Sequence, residues 1–262
     1  SSMEKRRVVV TGIGTVNPIG LNAAETWANA RAGVCGIGPI TRFDTTNFKV
    51  KLAGEVKNFD PETVIDRREA KKMARFTQMA VAAADEAMKD SGLSIEKDDP
   101  ALERCGIILS SGIGSLPTIE EEHSRGLAKG FERVSPFFIP MVIPNMAAAQ
   151  IAIRTGFKGI CTCPVTACAG GTNAVGDAFH RIRDGYEDVM IAGGTEGCVS
   201  ELAIGGFSSM KALTTCTDPD AASVPFDARR SGFVLGEGSG ILVLEELEHA
   251  KARGAKIYAE MV

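Results

Sequence analysis

The feature that most constrains the fold is a series of short, continuously apolar segments, most of them ending close to glycine. Strands that are apolar on both faces are typical of a sheet covered by helices on both sides. Stretches with apolar residues at helical spacing lie between them, and this alternation predicts an α/β fold. The apolar segments are residues 8–11, 105–109, 189–192 and 241–244, and the clearest helical patterns are residues 76–87 and 175–182.

The end of the sequence continues the pattern. Residues 245–253 have a helical pattern, and Gly254 is a typical stop signal. A new strand pattern then begins near residue 256 and runs to Val262. At the other end, Ser1 and Ser2 before Met3 resemble an expression scar.

Composition excludes several classes of protein. The 29 Lys and Arg residues against 33 Asp and Glu give a net charge of −4, which argues against a nucleic-acid binder and a polybasic membrane protein. No apolar run approaches the roughly 20 residues that span a bilayer. The 7 Cys are an odd number scattered along the chain, so they do not indicate a disulfide scaffold. We therefore expect a reduced, cytoplasmic protein.

Three glycine-containing motifs suggest ligand sites but fail on inspection. The segment Gly12-Ile13-Gly14 has Asn17 where a dinucleotide fingerprint needs its third glycine, so we predict a tight turn there. The segment Gly112-Ile113-Gly114 likewise lacks the third glycine of a dinucleotide fingerprint. Asp90-Ser91-Gly92-Leu93 resembles a phosphopantetheine attachment site, but Gly92 interrupts it and is better explained as a helix terminator.

Cys161 and Cys163 raise the question of a metal site. Structural zinc sites usually have a second pair of ligands, and none is present here. We predict no metal, and we expect both residues to be small hydrophobic side chains on one face of a strand over residues 160–165.

Cys168 stands in a different context. It follows that strand pattern and precedes a helical one, with Ala167, Ala169 and Gly170 as neighbours. Small neighbours allow the sharp strand-to-helix turn of a nucleophile elbow, and the positive end of the helix dipole favours the thiolate. Cys168 is therefore a candidate nucleophile, although most free cysteines serve only in packing.

Two charged features each allow a structural or a functional interpretation. Glu196 follows a strand end, where we favour a loop carboxylate that accepts backbone N–H groups over a catalytic role. A basic cluster is either a solvated face or a docking surface for an acidic partner. The cluster consists of Arg67, Arg68, Lys71, Lys72 and Arg75.

Taken together, the motifs resemble those of the β-ketoacyl-[acyl-carrier-protein] synthases, most nearly the type II elongating enzymes of bacterial fatty-acid synthesis. Gly170 is a departure, since Thr or Ser is usual there, and Asn17 and Ser231 replace a common Ser and Asp. The resemblance runs from about Arg7 to the last residue, and its landmarks are residues 8–14, 110–114, 135–140, 166–169, 191–196, 225–227 and 232–238.

The resemblance implies a thiolase-like fold with α-β-α-β-α layers, built from two similar halves. Residues 4–254 would then form the N-terminal synthase domain. Residues 255–262 would form the first strand of the second half.

The resemblance also implies a reaction and its site. Cys168 would accept an acyl group from acyl carrier protein, and malonyl-carrier protein would decarboxylate and attack the acyl-enzyme to give a 3-oxoacyl product. No cofactor is implied, and the partners would be acyl carrier protein and a second subunit of a homodimer. The acyl pocket would include Ile113, Ala167, Ala203 and Phe207, Phe138 would reach the partner subunit's pocket, and Arg68, Lys71, Lys72 and Lys211 would contact the carrier protein.

The family's catalytic histidines, lysine and gating phenylalanine would lie beyond residue 262, so we expect the printed chain alone not to catalyse condensation.

Two alternatives to an elongating synthase stay open at this point. A non-catalytic acyl-chain or carrier-protein binding module is the main alternative, although the presence of Cys168 favours the enzyme lineage. A thiolase or initiating synthase would need a nucleophile nearer the N-terminus, and Cys35 and Cys105 lack the elbow context.

Overall fold

The computed structural model describes residues 4–262, and the predicted scar at residues 1–3 lies outside this range. The strands are β1 (Val8–Val16), β2 (Gly38–Pro39), β3 (Leu52–Ala53), β4 (Cys105–Ser110), β5 (Cys161–Thr162), β6 (Val189–Glu196), β7 (Gly238–Glu246) and β8 (Ala259–Met261). The helices are α1 (Ala23–Arg31), α2 (Arg67–Ala70), α3 (Arg75–Ser91), α4 (Leu116–Lys129), α5 (Phe138–Val142), α6 (Met146–Thr155), α7 (Gly170–Arg183), α8 (Glu201–Ser209), α9 (Pro219–Ala222) and α10 (Leu247–Ala252). Three short 3-10 helices lie at Pro61–Thr63, Pro100–Arg104 and Phe131–Arg133.

Six strands form one mixed sheet in the order β5-β4-β6-β7-β1-β8. β4 is parallel to β5 and β6, whereas β7 is antiparallel to both β6 and β1. β1, β4 and β6 therefore run in the same direction, and their C-terminal ends meet at one edge of the sheet. That edge carries the candidate site.

The sheet is covered on both faces, which confirms the α/β prediction. Alternate residues of β6 point to opposite sides, as a strand requires. Val189 and Ile191 pack in the core formed with α3 and α6. Met190 and Ala192 pack in the core formed with α7.

The two glycines of the first motif lie inside β1, so the prediction that the strand ends at Gly12 is wrong. A Cβ atom at Gly12 would lie 2.2 Å from the Ala87 carbonyl oxygen, and one at Gly14 would lie 1.8 Å from that of Ala83. These glycines allow α3 to pack directly against the sheet. The turn comes later, where the Asn17 N–H donates to the Gly20 carbonyl.

Two further boundaries differ from the sequence pattern. The predicted helix over residues 245–253 begins only at Leu247, because Glu245 belongs to β7. The predicted strand over residues 160–165 is reduced to the two residues of β5, since Pro164 has no N–H to continue the ladder. Cys161 is exposed and Cys163 lies after the strand, so the expectation that both pack on one strand face is wrong.

The prediction that Gly92 terminates a helix is confirmed. Gly92 ends α3 in the left-handed conformation, with φ of +67°, so the Asp90–Leu93 segment is a helix end. Within residues 4–262, no helix combines the length and hydrophobicity needed to cross a membrane.

Candidate active site

Cys168 lies on a tight turn between β5 and α7. The Ala169 N–H donates to the Thr166 carbonyl at 3.2 Å, and the Gly170 N–H donates to the Ala167 carbonyl at 3.1 Å. Ala167 has a φ of +52°, a conformation that costs free energy for any residue with a Cβ. The result is an exposed Cys168 side chain two residues before the first residue of α7, which is the geometry of the predicted elbow.

Cys168 opens into a cavity of about 640 Å³ at the C-terminal edge of the sheet. Ile113 and Ala167 line it, as does Phe207 from α8. The structure thus brings three of the predicted acyl-pocket residues beside the candidate nucleophile. Their role in binding an acyl chain stays a prediction.

Two aromatic rings form part of the cavity wall. Phe207 and Phe233 pack edge to face, with ring centroids 5.4 Å apart and an interplanar angle of 76°. Leu235 also lines the cavity. Phe233 and Leu235 were not assigned to the site from sequence, although the continuous apolar run between Gly232 and Gly236 was a usable signal.

The other predicted pocket residues lie elsewhere. Ala203 is buried in the hydrophobic cluster that contains Leu213, with Phe207 packed against it, and it does not line the cavity itself. Phe138 is half-buried at the start of α5 and is not part of the cavity wall. Its predicted contact is with a second subunit, so this chain alone does not test it.

Glu196 lines the same cavity from the end of β6. Its carboxylate accepts hydrogen bonds from the Ser111 hydroxyl and the Gly112 N–H, both at 2.9 Å. Burial raises the pKa of the Glu196 carboxyl, and hydrogen bonds from residues 111–113 offset this only in part. The prediction that the Glu196 carboxylate accepts a backbone N–H group is confirmed by the bond from Gly112.

A second carboxylate, Glu237, closes another side of the cavity. Burial alone would raise its pKa, but hydrogen bonds from Arg75 and Arg42 hold the pKa of Glu237 below its ordinary value. The Val56 N–H also donates to it at 2.9 Å. Glu237 is therefore committed to structural contacts and anchors the start of α3 to the cavity wall.

Four of the other six cysteines have thiols whose pKa is raised by burial. Burial raises the pKa of the Cys105 and Cys198 thiols to about 12. Burial also raises the pKa of Cys161 and Cys163. These four thiols are held in the protonated form, which is the unreactive one.

The predicted carrier-protein residues are on the surface. Arg68, Lys71 and Lys72 are exposed at and just after α2 and form no ion pair within residues 4–262. The Lys72 ammonium lies 5.4 Å from the centre of the Phe137 ring, beside Phe138. Lys211 is exposed just after α8.

None of the three histidines lines the cavity. His249 contacts the buried Glu245 through Nδ1 at 2.6 Å, and His123 and His180 pack against Phe131 and Phe179. Among the described residues, the cavity holds a candidate nucleophile without a histidine beside it.

An α/β sheet that presents an exposed cysteine on a strand-to-helix elbow over a largely apolar cavity places the chain in the class of α/β proteins with a candidate cysteine nucleophile. Comparison with known proteins identifies the family within this class. Residues 5–250 match the family model described as Beta-ketoacyl synthase, N-terminal domain, and the chain belongs to this family.

Relatives agree with this assignment. The chain is 51% identical over 259 residues to 3-oxoacyl-[acyl-carrier-protein] synthase 2 of Staphylococcus aureus (strain N315), covering 99% of this chain and 62% of that protein. It therefore spans about 62% of the length of such relatives.

Solved structures show the same fold. The ishigamide ketosynthase/chain length factor superposes with a TM-score of 0.86 at 36% identity, over 98% of this chain and 62% of that one. A type II PKS acyl-carrier protein in complex with its ketosynthase bound to the hexaketide gives a TM-score of 0.85 at 33% identity, over 98% and 62% of the two chains. The fold is thus thiolase-like, and residues 4–262 supply one helix–sheet–helix part of it.

Proposed function

We propose that this chain carries the acyl-accepting half of a 3-oxoacyl-[acyl-carrier-protein] synthase of fatty-acid elongation. The single observation that supports this most is the exposed Cys168 on a strained elbow at a largely apolar cavity of about 640 Å³. A cavity of this kind suits a hydrocarbon chain attached to the sulfur.

In the proposed reaction, the Cys168 thiolate attacks the carbonyl carbon of an acyl thioester on acyl carrier protein. A new carbon–sulfur bond to Cys168 forms, the bond to the carrier's sulfur breaks, and the carrier leaves as a thiol. Malonyl-carrier protein then loses carbon dioxide, and its carbanion attacks the acyl-enzyme and releases Cys168. The product is a 3-oxoacyl chain two carbons longer.

The proposal extends to partners and location. An acidic carrier protein would dock on Arg68, Lys71, Lys72 and Lys211, since these exposed cations form no ion pair within residues 4–262. Phe138 would complete the pocket of a second subunit in a homodimer, and the protein would work in the cytoplasm. The catalytic histidines of the condensation step would come from sequence outside the printed chain.

Acyl transfer is the step to test first, because it depends on residues present here. The protein is incubated with acyl carrier protein bearing a medium-length acyl group, and the modified residue is mapped by mass spectrometry. We expect one acyl group on Cys168, none in Cys168→Ser, and an unchanged yield in the control variant Cys216→Ser. Acylation of Cys168→Ser to the same extent would contradict the proposal.

A further inference from the structure

One carboxylate in the cavity wall has no cationic partner. The fully buried glutamates pair with arginine, as Glu237 does with Arg75 and Glu245 does with Arg253. Glu196 forms no ion pair within residues 4–262, and its bonded partners are hydroxyl and backbone N–H groups. Partial burial of a carboxylate without a counter-charge is costly, so a specific role is expected for the half-buried Glu196.

The partners of Glu196 belong to a single loop, residues 111–114, which follows β4. Ser111 Oγ donates to one carboxylate oxygen and in turn accepts the Gly114 N–H at 3.1 Å. The Gly112 N–H donates to the other oxygen. The loop therefore wraps around the carboxylate, which accepts one side-chain and one backbone hydrogen bond from it.

The local glycines show how close this wrapping is. A Cβ atom at Gly112 would lie 2.7 Å from the Glu196 Oε1 atom. Gly114 has a φ of +60°, and a Cβ there would lie 2.1 Å from the Val142 carbonyl oxygen. The loop thus packs closely against Glu196 at Gly112 and against Val142 at Gly114.

The loop matters because it carries Ile113 into the cavity. Ile113 is 39% exposed and faces the space that Cys168 also lines. The Ser111 N–H also donates to the Cys163 sulfur at 3.3 Å, which ties the loop to the segment that leads to the elbow. Displacement of the loop would move one apolar wall of the cavity and leave the opposite wall in place.

We infer that Glu196 is a positioning residue for acyl-chain selection: its carboxylate holds the loop over residues 111–114 so that Ile113 limits the acyl chain attached to Cys168. This inference rests on the proposed function and adds a specificity determinant to it. Glu196 acts through the loop and is not assigned contact with the reacting atoms.

Acylation of Cys168 by short, medium and long acyl groups on acyl carrier protein tests the inference. In Glu196→Ala, the Gly112 and Ser111 donors lose their acceptors, so the ratio of long-chain to short-chain acylation rates should change by about tenfold. Glu196→Gln keeps an acceptor for Gly112 and should return the ratio to within about threefold of the wild type. Glu121→Ala, at an exposed carboxylate on α4, is the matched control and should leave the ratio unchanged.

Two further readouts separate positioning from a general loss of structure. Alkylation of Cys168 by iodoacetamide, a small reagent, should be unchanged in Glu196→Ala, and amide exchange should rise at Gly112 and Gly114. If Glu196→Ala lowered the acylation rate equally at every acyl-chain length, or left the dependence of the rate on chain length unchanged, the inference would be overturned and the proposed function would remain intact. Failure of the wild type to accept any acyl group would overturn the proposed function and the inference with it.

Discussion

Ser110 and Gly170 share one space beside the elbow, since a Cβ atom at position 170 would lie 2.0 Å from Ser110 Oγ and 3.0 Å from its Cβ. The Ser110 hydroxyl uses this space to donate to the Pro164 carbonyl at 2.7 Å, within the segment that leads to Cys168. The glycine at position 170, where the family usually has another residue, can therefore be explained physically. The Ser110 hydroxyl at the end of β4 occupies the space that a side chain at the start of α7 would need.

This relationship predicts strong coupling between the two positions. Gly170→Ala should destabilise the fold by about 1–3 kcal/mol through overpacking. Ser110→Gly should cost about 1 kcal/mol through the lost hydrogen bond. In the double variant the clash is relieved, so its loss in free energy of unfolding should be clearly smaller than the sum of the losses in the two single variants. Urea unfolding of the wild type and the three variants measures these losses. Additive losses would show that the two residues do not compete for this space.

The exposure of Cys168 predicts selective labelling. With substoichiometric iodoacetamide or cerulenin, the adduct should map first to Cys168, because burial holds Cys105 and Cys198 as thiols with a pKa of about 12. Cys168→Ser should remove the fast phase of labelling. Modification of Cys35 or Cys216 ahead of Cys168 would argue against the assignment of the nucleophile.

The cations of the basic cluster that form no ion pair within residues 4–262, which are Arg68, Lys71 and Lys72, predict a salt-dependent partner interaction. Lys71→Glu and Lys72→Glu should slow association with acyl carrier protein, and the effect should shrink as ionic strength rises. Lys97→Glu makes the same change in charge in the exposed loop that follows the far end of α3, so it serves as the matched control. Equal binding by all variants at low ionic strength would reduce the cluster to a solvated face.

How much could be predicted from the sequence depended on the range of the interactions. The central strands β4, β6 and β7 and the elbow at Cys168 were predictable because apolar runs and small residues act locally. The passage of β1 through Gly12 was not, since it depends on the approach of α3, whose Ala87 carbonyl is 75 residues away in sequence. The contacts of Glu196 with Ser111 were hidden for the same reason, because only the pairing of β4 with β6 brings these residues together.

The last prediction concerns Glu245, a fully buried carboxylate whose charge is balanced by Arg253. Arg253 Nε and Nη2 donate to it at 2.8 and 2.7 Å, and the Thr11 hydroxyl donates at 2.9 Å. Burial alone would raise the pKa of Glu245, but these hydrogen bonds and that of His249 hold the pKa below its ordinary value of 4.5. The carboxylate therefore stabilises the fold above about pH 4.5, and this stabilisation is lost as pH falls through the lower folded-state pKa.

Arg253→Met should reverse this dependence. Without the guanidinium, burial dominates and raises the folded-state pKa of Glu245 above its unfolded value, so Glu245 destabilises the fold increasingly as pH rises. We expect a loss of about 3–5 kcal/mol near pH 7 and a smaller loss near pH 4, measured by urea unfolding at both values. Arg67→Met, which breaks only the exposed pair with Glu62, should cost less than about 1 kcal/mol at either pH. An equal loss for Arg253→Met at both pH values would mean that the arginine acts through packing, not through the charge of Glu245.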